Sequence, residues 1–391
     1  MDDLRTVREA YGEPAPPTAA EMTEARARMF EQAPRVRSGW RATGWRLKVG
    51  AGVVAVGAAT AVVIAATGSS PPAPHPTVEL GKGAVLAAAE KAELQPMGKY
   101  WHDDRVSGQA YVVRAKTGTY AIFGAHSETF NWSGVKSGMG EAYYGRDLPA
   151  HPQTARDAAL WRAAGAPSQI RVWSGDHFAT YTTKATAWTS DGPNVGVDPR
   201  GGGKFIIGKS VEDLQNLPTD PEKLAQLFLS GKAMEQEGKA AGRADPSGAK
   251  SGRRALAAMK IMRVSGLLAT PVSPKVRSGL MRALAAQPGV HEIGRVTDPL
   301  GRRGAALGTD DRAVTETGEF GTPKAQQGTY RVRVEIVFDE RTGALLSTQT
   351  VLTQPGGPYA EMRPGFVLDY MACRSAGWTD AKPNPPAKLP F

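Results

Sequence analysis

The spacing of hydrophobic positions changes character several times along the chain. Ala84 to Leu94 places apolar residues at helical intervals. From Tyr100 onward the texture turns to short aromatic and β-branched runs separated by Gly and polar turns. This predicts strands at Gln109–Arg114, Gly118–Phe123 and Gln169–Trp173, with further candidates at His177–Thr183 and Lys184–Thr189. Asp220 can cap a helix whose first position is Pro221 and whose Glu222 suits the positive helix end; that helix should run to about Ser230 and bury Leu224, Leu227 and Phe228. Gly231–Arg254 lacks a sustained apolar face and reads as a loop or as a polar extension of the helices around it. Helices resume over Ala255–Leu268 and Val276–Ala286, interrupted by Pro271 and Pro274.

The last hundred residues alternate with period two. Val290–Val296 and Gly304–Leu307 flank a reversal at Asp298-Pro299-Leu300-Gly301-Arg302. Farther on, Val332, Val334, Ile336 and Phe338 alternate with Arg331, Arg333, Glu335 and Val337. Asp339-Glu340-Arg341-Thr342-Gly343 supplies a turn, and Leu346, Thr348, Thr350 and Leu352 continue the sheet as a hairpin. The expected fold class is therefore α+β: an antiparallel sheet packed on helices, curved by analogy with other sheets that wrap around helices, and preceded by one transmembrane helix.

That last element rests on Val49–Thr67, nineteen residues without a charge. As a helix they cover roughly 29 Å, close to the hydrocarbon thickness of a bilayer. Arg35, Arg37, Arg41, Arg46 and Lys48 precede the span and no formal charge follows it until Glu79, which predicts a cytoplasmic N-terminus and an extracytoplasmic remainder. The expected organisation is a cytoplasmic helical segment at 1–48, a transmembrane helix at 49–67, a Pro-rich spacer at 68–83 and an extracytoplasmic domain at 84–391. Within the first segment, Thr18-Ala19-Ala20-Glu21 has the form of a capping box, and the face carrying Met22, Met29 and Phe30 is a candidate partner-binding surface.

Composition removes several functions. The net charge of +10 is spread along the chain, with nine Lys or Arg against seven Asp or Glu in residues 1–48, and no nucleic-acid-binding module accompanies it. A single cysteine, Cys373, excludes an intramolecular disulfide. The six histidines are scattered, so no metal or other cofactor is expected; His102-Asp103-Asp104 is the most ligand-like group and reads as a surface loop. Lys116-Thr117-Gly118 precedes both Ser-x-x-Lys matches, Ser133–Lys136 and Ser247–Lys250, which reverses the order of penicillin-binding enzymes. Gly201-Gly202-Gly203-Lys204 lacks the first glycine and the hydroxyl of a phosphate loop. The aromatic stretch from 100 to 190 remains, and Tyr100, Trp101, Trp161, Trp173 and Trp188 are its candidate ligand-binding residues, against ordinary packing in the sheet core.

The N-terminal helical segment, the Arg-flanked Ala/Val span, Leu217–Leu224, Leu284–Val290, Gly294–Arg302 and Phe338–Leu346 together resemble an uncharacterised actinobacterial family of single-pass membrane proteins with an anti-sigma-factor-like organisation. The resemblance spans nearly the whole chain. It implies a binding or sensory domain without catalytic activity, localised to the cell membrane. The bilayer, an envelope lipid, glycan or protein ligand, and a cytoplasmic sigma factor are the implied partners. Residues 1–48 contain neither His nor Cys, so the zinc site of many anti-sigma domains has no counterpart. The alternative function is an envelope hydrolase or transferase whose site is assembled from distant residues.

Overall fold

A computed structural model describes residues 83–190, 196–205, 209–233 and 253–391, all within the unit Leu47–Phe391. Helix α1 (Gly83–Ala92) turns Val85, Ala88, Ala89 and Ala92 inward at helical spacing. Two long strands follow, β1 (Tyr100–Ala115) and β2 (Gly118–Gly134), then β3 (Glu141–Asp147) and the short β4 (His151–Pro152). Helix α2 (Ala155–Ala163) starts at a Thr154 cap, and β5 (Gln169–Ser174) and β6 (His177–Thr182) make a separate hairpin. After β7 (Gly196–Asp198) come α3 (Val211–Gln215) and α4 (Pro221–Leu224), the latter continuing as a π-helical turn over Ala225–Leu229. Helices α5 (Arg253–Leu268) and α6 (Pro274–Ala285) lead into β8 (Val290–Thr297), β9 (Arg303–Thr309), β10 (Arg312–Glu316), β11 (Gly328–Phe338), β12 (Leu345–Gln354) and β13 (Val367–Thr379).

Eleven of these strands form one antiparallel sheet in the order β7-β3-β2-β1-β13-β12-β11-β9-β8, with β10 pairing β11 and β4 pairing β2. This corrects the expected fold class. The architecture is a predominantly antiparallel eleven-stranded sheet, not an α+β domain behind a membrane helix. Among the described residues no helix is long and apolar enough to cross a membrane. Val49–Thr67, from which the span was read, lies outside the described residues, as do Met22, Met29 and Phe30. The expected single-pass localisation in the cell membrane is corrected by the same finding.

The amount of sheet was underestimated chiefly in β1. His102-Asp103-Asp104 reads as a surface loop because it offers no apolar alternation, and the first expected strand starts only at Gln109. The segment is extended because β13 and β2 pair with it on both sides, starting at Tyr100↔Thr379 and Tyr100↔Gly134. The two aspartates point to opposite faces, as period two requires, and each meets an arginine: Arg105 Nε lies 2.5 Å from Asp103, and Arg374 Nε 3.9 Å from Asp104. Lys184–Thr189, expected as a strand, makes only one bridge, Thr189 to Gly145. The β11–β12 hairpin forms over its expected turn, where Asp339 Oδ1 accepts the amides of Arg341 and Thr342. Gly343 there has φ +69°, and a Cβ on it would stand 2.2 Å from the carbonyl oxygen of Ala88, so α1 can approach only a glycine.

The helices cover one half of the sheet. Ile261, Leu268, Leu280 and Leu284 pack with Leu307, Ile336 and Phe338 in the largest buried cluster, and Ser265 Oγ meets Thr348 Oγ1 at 2.7 Å. Arg277 on α6 is buried without a carboxylate. Its Nη1 donates to the carbonyl of Leu268, the last residue of α5, at 2.6 Å; its Nη2 adds a 3.4 Å bond to the Thr270 carbonyl, which also accepts the Val272 amide at 2.8 Å, and its guanidinium lies over the Trp101 ring. Burial pushes its pKa down to about 10. Arg277→Met should therefore cost about 1–3 kcal/mol in urea-induced unfolding, because it strips the donor from the buried Leu268 carbonyl while keeping the volume. A loss below about 0.5 kcal/mol would show that water caps α5 instead.

A candidate binding groove filled by the C-terminal segment

Among the described residues, no helix lies on the face opposite Trp101 in the other half of the sheet, around β1, β2 and β3. Register decides which side chains appear there. His102 pairs with Trp132 and Asp104 with Phe130; Trp132, Phe130 and Glu128 in turn face Ala142, Tyr144 and Arg146. With alternation this puts Tyr100, His102, Asp104, Glu128, Phe130, Trp132, Tyr144 and Arg146 on one surface.

One end of that surface is aromatic. The Tyr100 ring meets Trp132 edge-on at 5.8 Å, Phe130 lies 6.4 Å from Tyr144, and His102 stacks on Phe130 at 6.0 Å. Trp188 joins them because the paired backbone hydrogen bonds between Gly145 and Thr189 pin its segment beside β3.

The other end is ionic. Glu128 is 0% exposed and accepts from two guanidiniums: Arg146 Nε at 2.6 Å and Arg374 Nη1 at 2.7 Å. Arg374 reaches this face through a bulge in β13. The register passes from Asp104↔Ser375 to Arg105↔Cys373 and leaves Arg374 as the extra residue. Asp104, 1% exposed, adjoins the same group. Burial and the neighbouring Glu128 carboxylate raise its pKa to about 8, against the opposing pull of Arg374. The shift favours the protonated form of Asp104 beside the Glu128 carboxylate. Two guanidiniums then face a single negative charge, and their remaining N–H groups need acceptors.

Those acceptors come from the segment after β13. Arg146 Nη2 and Arg374 Nη1 both donate to the carbonyl of Lys388, at 2.8 and 2.9 Å. Trp188 Nε1 donates to the carbonyl of Pro386 at 2.8 Å, while the Arg146 guanidinium lies 4.4 Å over the Trp188 ring. Lys382 Nζ sits 5.5 Å from the Trp132 ring centroid. Phe391 lies parallel to His126 at 5.0 Å and contacts His151 at 4.4 Å. Residues 382–391 thus run along β2 from Trp132 to His126.

His126 is a fixed floor for Phe391. Its Nδ1 must donate to the carbonyl of Pro149 at 3.1 Å, so its Nε2 accepts from the Tyr370 hydroxyl at 2.5 Å. Burial lowers its pKa to about 4 and keeps the ring neutral. Both nitrogens are occupied, which removes it as a metal ligand, and among the described residues no cluster of three or more His, Cys, Asp or Glu can hold a metal ion. The carboxylate of Glu128 is held by two arginines.

Of the candidate residues named from the sequence, only Tyr100 and Trp188 come together here. Trp101 points to the helices and donates from Nε1 to the carbonyl of Ala269 at 3.0 Å. Trp161 lies on α2 itself, packs against the cluster of Tyr120 and Ile122, and donates to the carbonyl of Pro167. Trp173 meets Phe178 on the β5–β6 hairpin, which a Tyr111–Ser174–Tyr181 hydroxyl cluster docks to the main sheet. Within His102-Asp103-Asp104, expected to be a loop, His102 and Asp104 face the groove while Asp103 accepts from Asn131 on the other side. Cys373 is half-buried beside a small pocket lined by Arg105, Ser265, Ala269, Leu345 and Met371; burial pushes its thiol up to about 12, which makes it a poor nucleophile at neutral pH. Sequence reasoning missed Phe130, Trp132, Glu128, Arg146, Arg374 and the tail. Two signals were present: the alternation Glu128-x-Phe130-x-Trp132, and the Pro-rich run Lys382–Phe391 after a strand.

No known family model matches the chain, and no curated protein matches it.

Proposed function

We propose that the domain is a noncatalytic binding module whose recognition surface is this groove. The observation that supports it is the convergence of four aromatic rings, Tyr100, Trp132, Tyr144 and Trp188, with two guanidiniums on a strip of sheet that, among the described residues, no helix packs against. Rings offer contact area at little conformational cost, and the guanidiniums receive a carbonyl or another oxygen acceptor. The ionic end is preorganised, since Glu128 fixes both arginines before any ligand arrives.

The test uses the full chain with a loosened tail, Pro386→Gly with Phe391→Ala, titrated with the apolar dye bis-ANS. One saturable dye site should appear that the unaltered chain lacks, and adding Tyr144→Ala and Trp188→Ala should remove it. Dye uptake that ignores those two rings, or no uptake by a folded variant, would exclude the groove as a binding surface.

A further inference from the structure

We infer that the groove is a site for extended proline-rich polypeptide, and that residues 382–391 are its built-in occupant, which a segment of the same chemistry displaces. The inference rests on the groove being the binding surface proposed above, and it names the ligand class.

Four of the ten residues 382–391 are proline: Pro383, Pro385, Pro386 and Pro390. Such a run favours a polyproline II conformation, which uses none of its own backbone groups and leaves its carbonyls open. The groove meets that need. Among the described residues the segment makes no backbone-to-backbone hydrogen bond, and it adds no strand to the sheet. It is held by side-chain donors on its carbonyls, Trp188 at Pro386 and Arg146 with Arg374 at Lys388, and by rings beside it. An indole N–H aimed at a proline carbonyl, flanked by aromatic walls, suits a proline-rich chain because recognition then needs no backbone N–H from the ligand.

Spacing sets the register of the occupant. Pro386 lies at Trp188, the carbonyl two residues on lies at the arginine pair, and an aromatic side chain five residues on lies on His126 and His151. Lys382 sits over the Trp132 ring, and Lys388, whose carbonyl meets the arginines, is exposed.

The segment is also poised to leave. Ala387, Lys388 and Leu389 are exposed and Phe391 is 53% exposed, in contrast to the fully buried Glu128 beneath it. An element held by few polar contacts and half in solvent opens without unfolding the core. Tethering sets the concentration a competitor must overcome, which for a short connection is in the millimolar range.

The experiment labels the tail in the full chain. An environment-sensitive fluorophore is attached through Ala387→Cys in a Cys373→Ala background. The probe is a synthetic peptide of residues 382–391, capped at both ends, with a scrambled peptide of the same composition as control. The cognate peptide should shift the emission saturably at millimolar concentration, and the scrambled one should not. A second measurement uses the loosened chain, Pro386→Gly with Phe391→Ala, which should bind the peptide at least about tenfold more tightly than the intact chain does, because its own tail competes less. Trp188→Ala in that background should abolish the binding.

If bis-ANS fills the loosened groove but the peptide neither displaces the labelled tail nor binds, the ligand class is wrong and the binding surface stands. If neither dye nor peptide binds, the surface itself fails. Equal binding of cognate and scrambled peptides would overturn the register while leaving an unspecific apolar site.

Discussion

Replacing Glu128 with leucine should remove about 3–5 kcal/mol of stability at pH 7, the largest loss expected from any single substitution near the groove. The side chain is fully buried and is the common acceptor of Arg146 and Arg374. Without it, two guanidiniums held under the tail lose their counter-charge, and the protonated Asp104 loses the oxygen to which it donates. The cost is that of leaving charges desolvated and unpaired, which exceeds what the pair contributes when intact. Glu128→Gln should lose less, because the main cause of the raised Asp104 pKa after burial disappears with the carboxylate. Asp104 can then ionise and take Arg374 as its partner, now 3.9 Å away. Adding Asp104→Asn to Glu128→Gln removes that rescue, so the double variant should lose more than the two singles combined. Denaturant titration of the four chains measures this coupling. Additive losses would mean that the two carboxyls do not share the arginines.

Asp104 should also make stability fall as pH rises between about 4 and 8. Its folded pKa, about 8, lies above the ordinary value of 3.8. In that window the unfolded chain has released the proton and the folded chain still holds it, so each step up in pH favours unfolding. Below the window both states are protonated and above it both are ionised, and the contribution becomes constant. One proton limits the slope to about 1.4 kcal/mol per pH unit. Asp104→Asn keeps an N–H donor toward Glu128 but cannot titrate, so it should flatten this part of the profile and raise stability most at the alkaline end. A slope between pH 5 and 8 that is unchanged in Asp104→Asn would place the titrating group elsewhere. His126 and His151, whose pKa values are lowered by burial, act in the opposite sense. Their folded forms resist protonation, so they favour unfolding as pH falls, and the two effects separate by sign.

Local pattern was informative where one face of an element is dry and the other wet. Val332, Val334, Ile336 and Phe338 announce β11 because their neighbours are mostly polar, and Asp339 to Gly343 announce the turn because Asp can hold two amides and Gly can take φ +69°. The Asp220-Pro221-Glu222 start of α4 is legible for the same kind of reason, since capping is a contact within four residues. Pattern misled where both faces carry buried charge. Asp103 and Asp104 look like loop residues until Arg105, Arg374, Asn131 and Glu128 are placed around them, and Arg374 lies 270 positions away in the chain.

The candidate residues show the same division more sharply. Tyr100 and Trp101 are adjacent and equally aromatic, yet alternation sends one to the groove and the other beneath α5 and α6. Nothing in their side chains distinguishes the two roles. The distinction exists only once the helices occupy one side of the sheet.

By itself, the amino-acid sequence determined the β11–β12 hairpin, the capped start of α4, the absence of any possible disulfide within the chain and the presence of a proline-rich run at Lys382–Phe391. These depend on near neighbours or on composition alone. The tertiary structure decided that β1 is a sixteen-residue strand, that Arg374 bulges out of β13 onto Glu128, and that the proline-rich run lies on Trp188, Arg146 and Arg374. Each of those depends on partners brought together from far apart in the chain, and a buried charge or an aromatic ring shows its role only when its partner is in place.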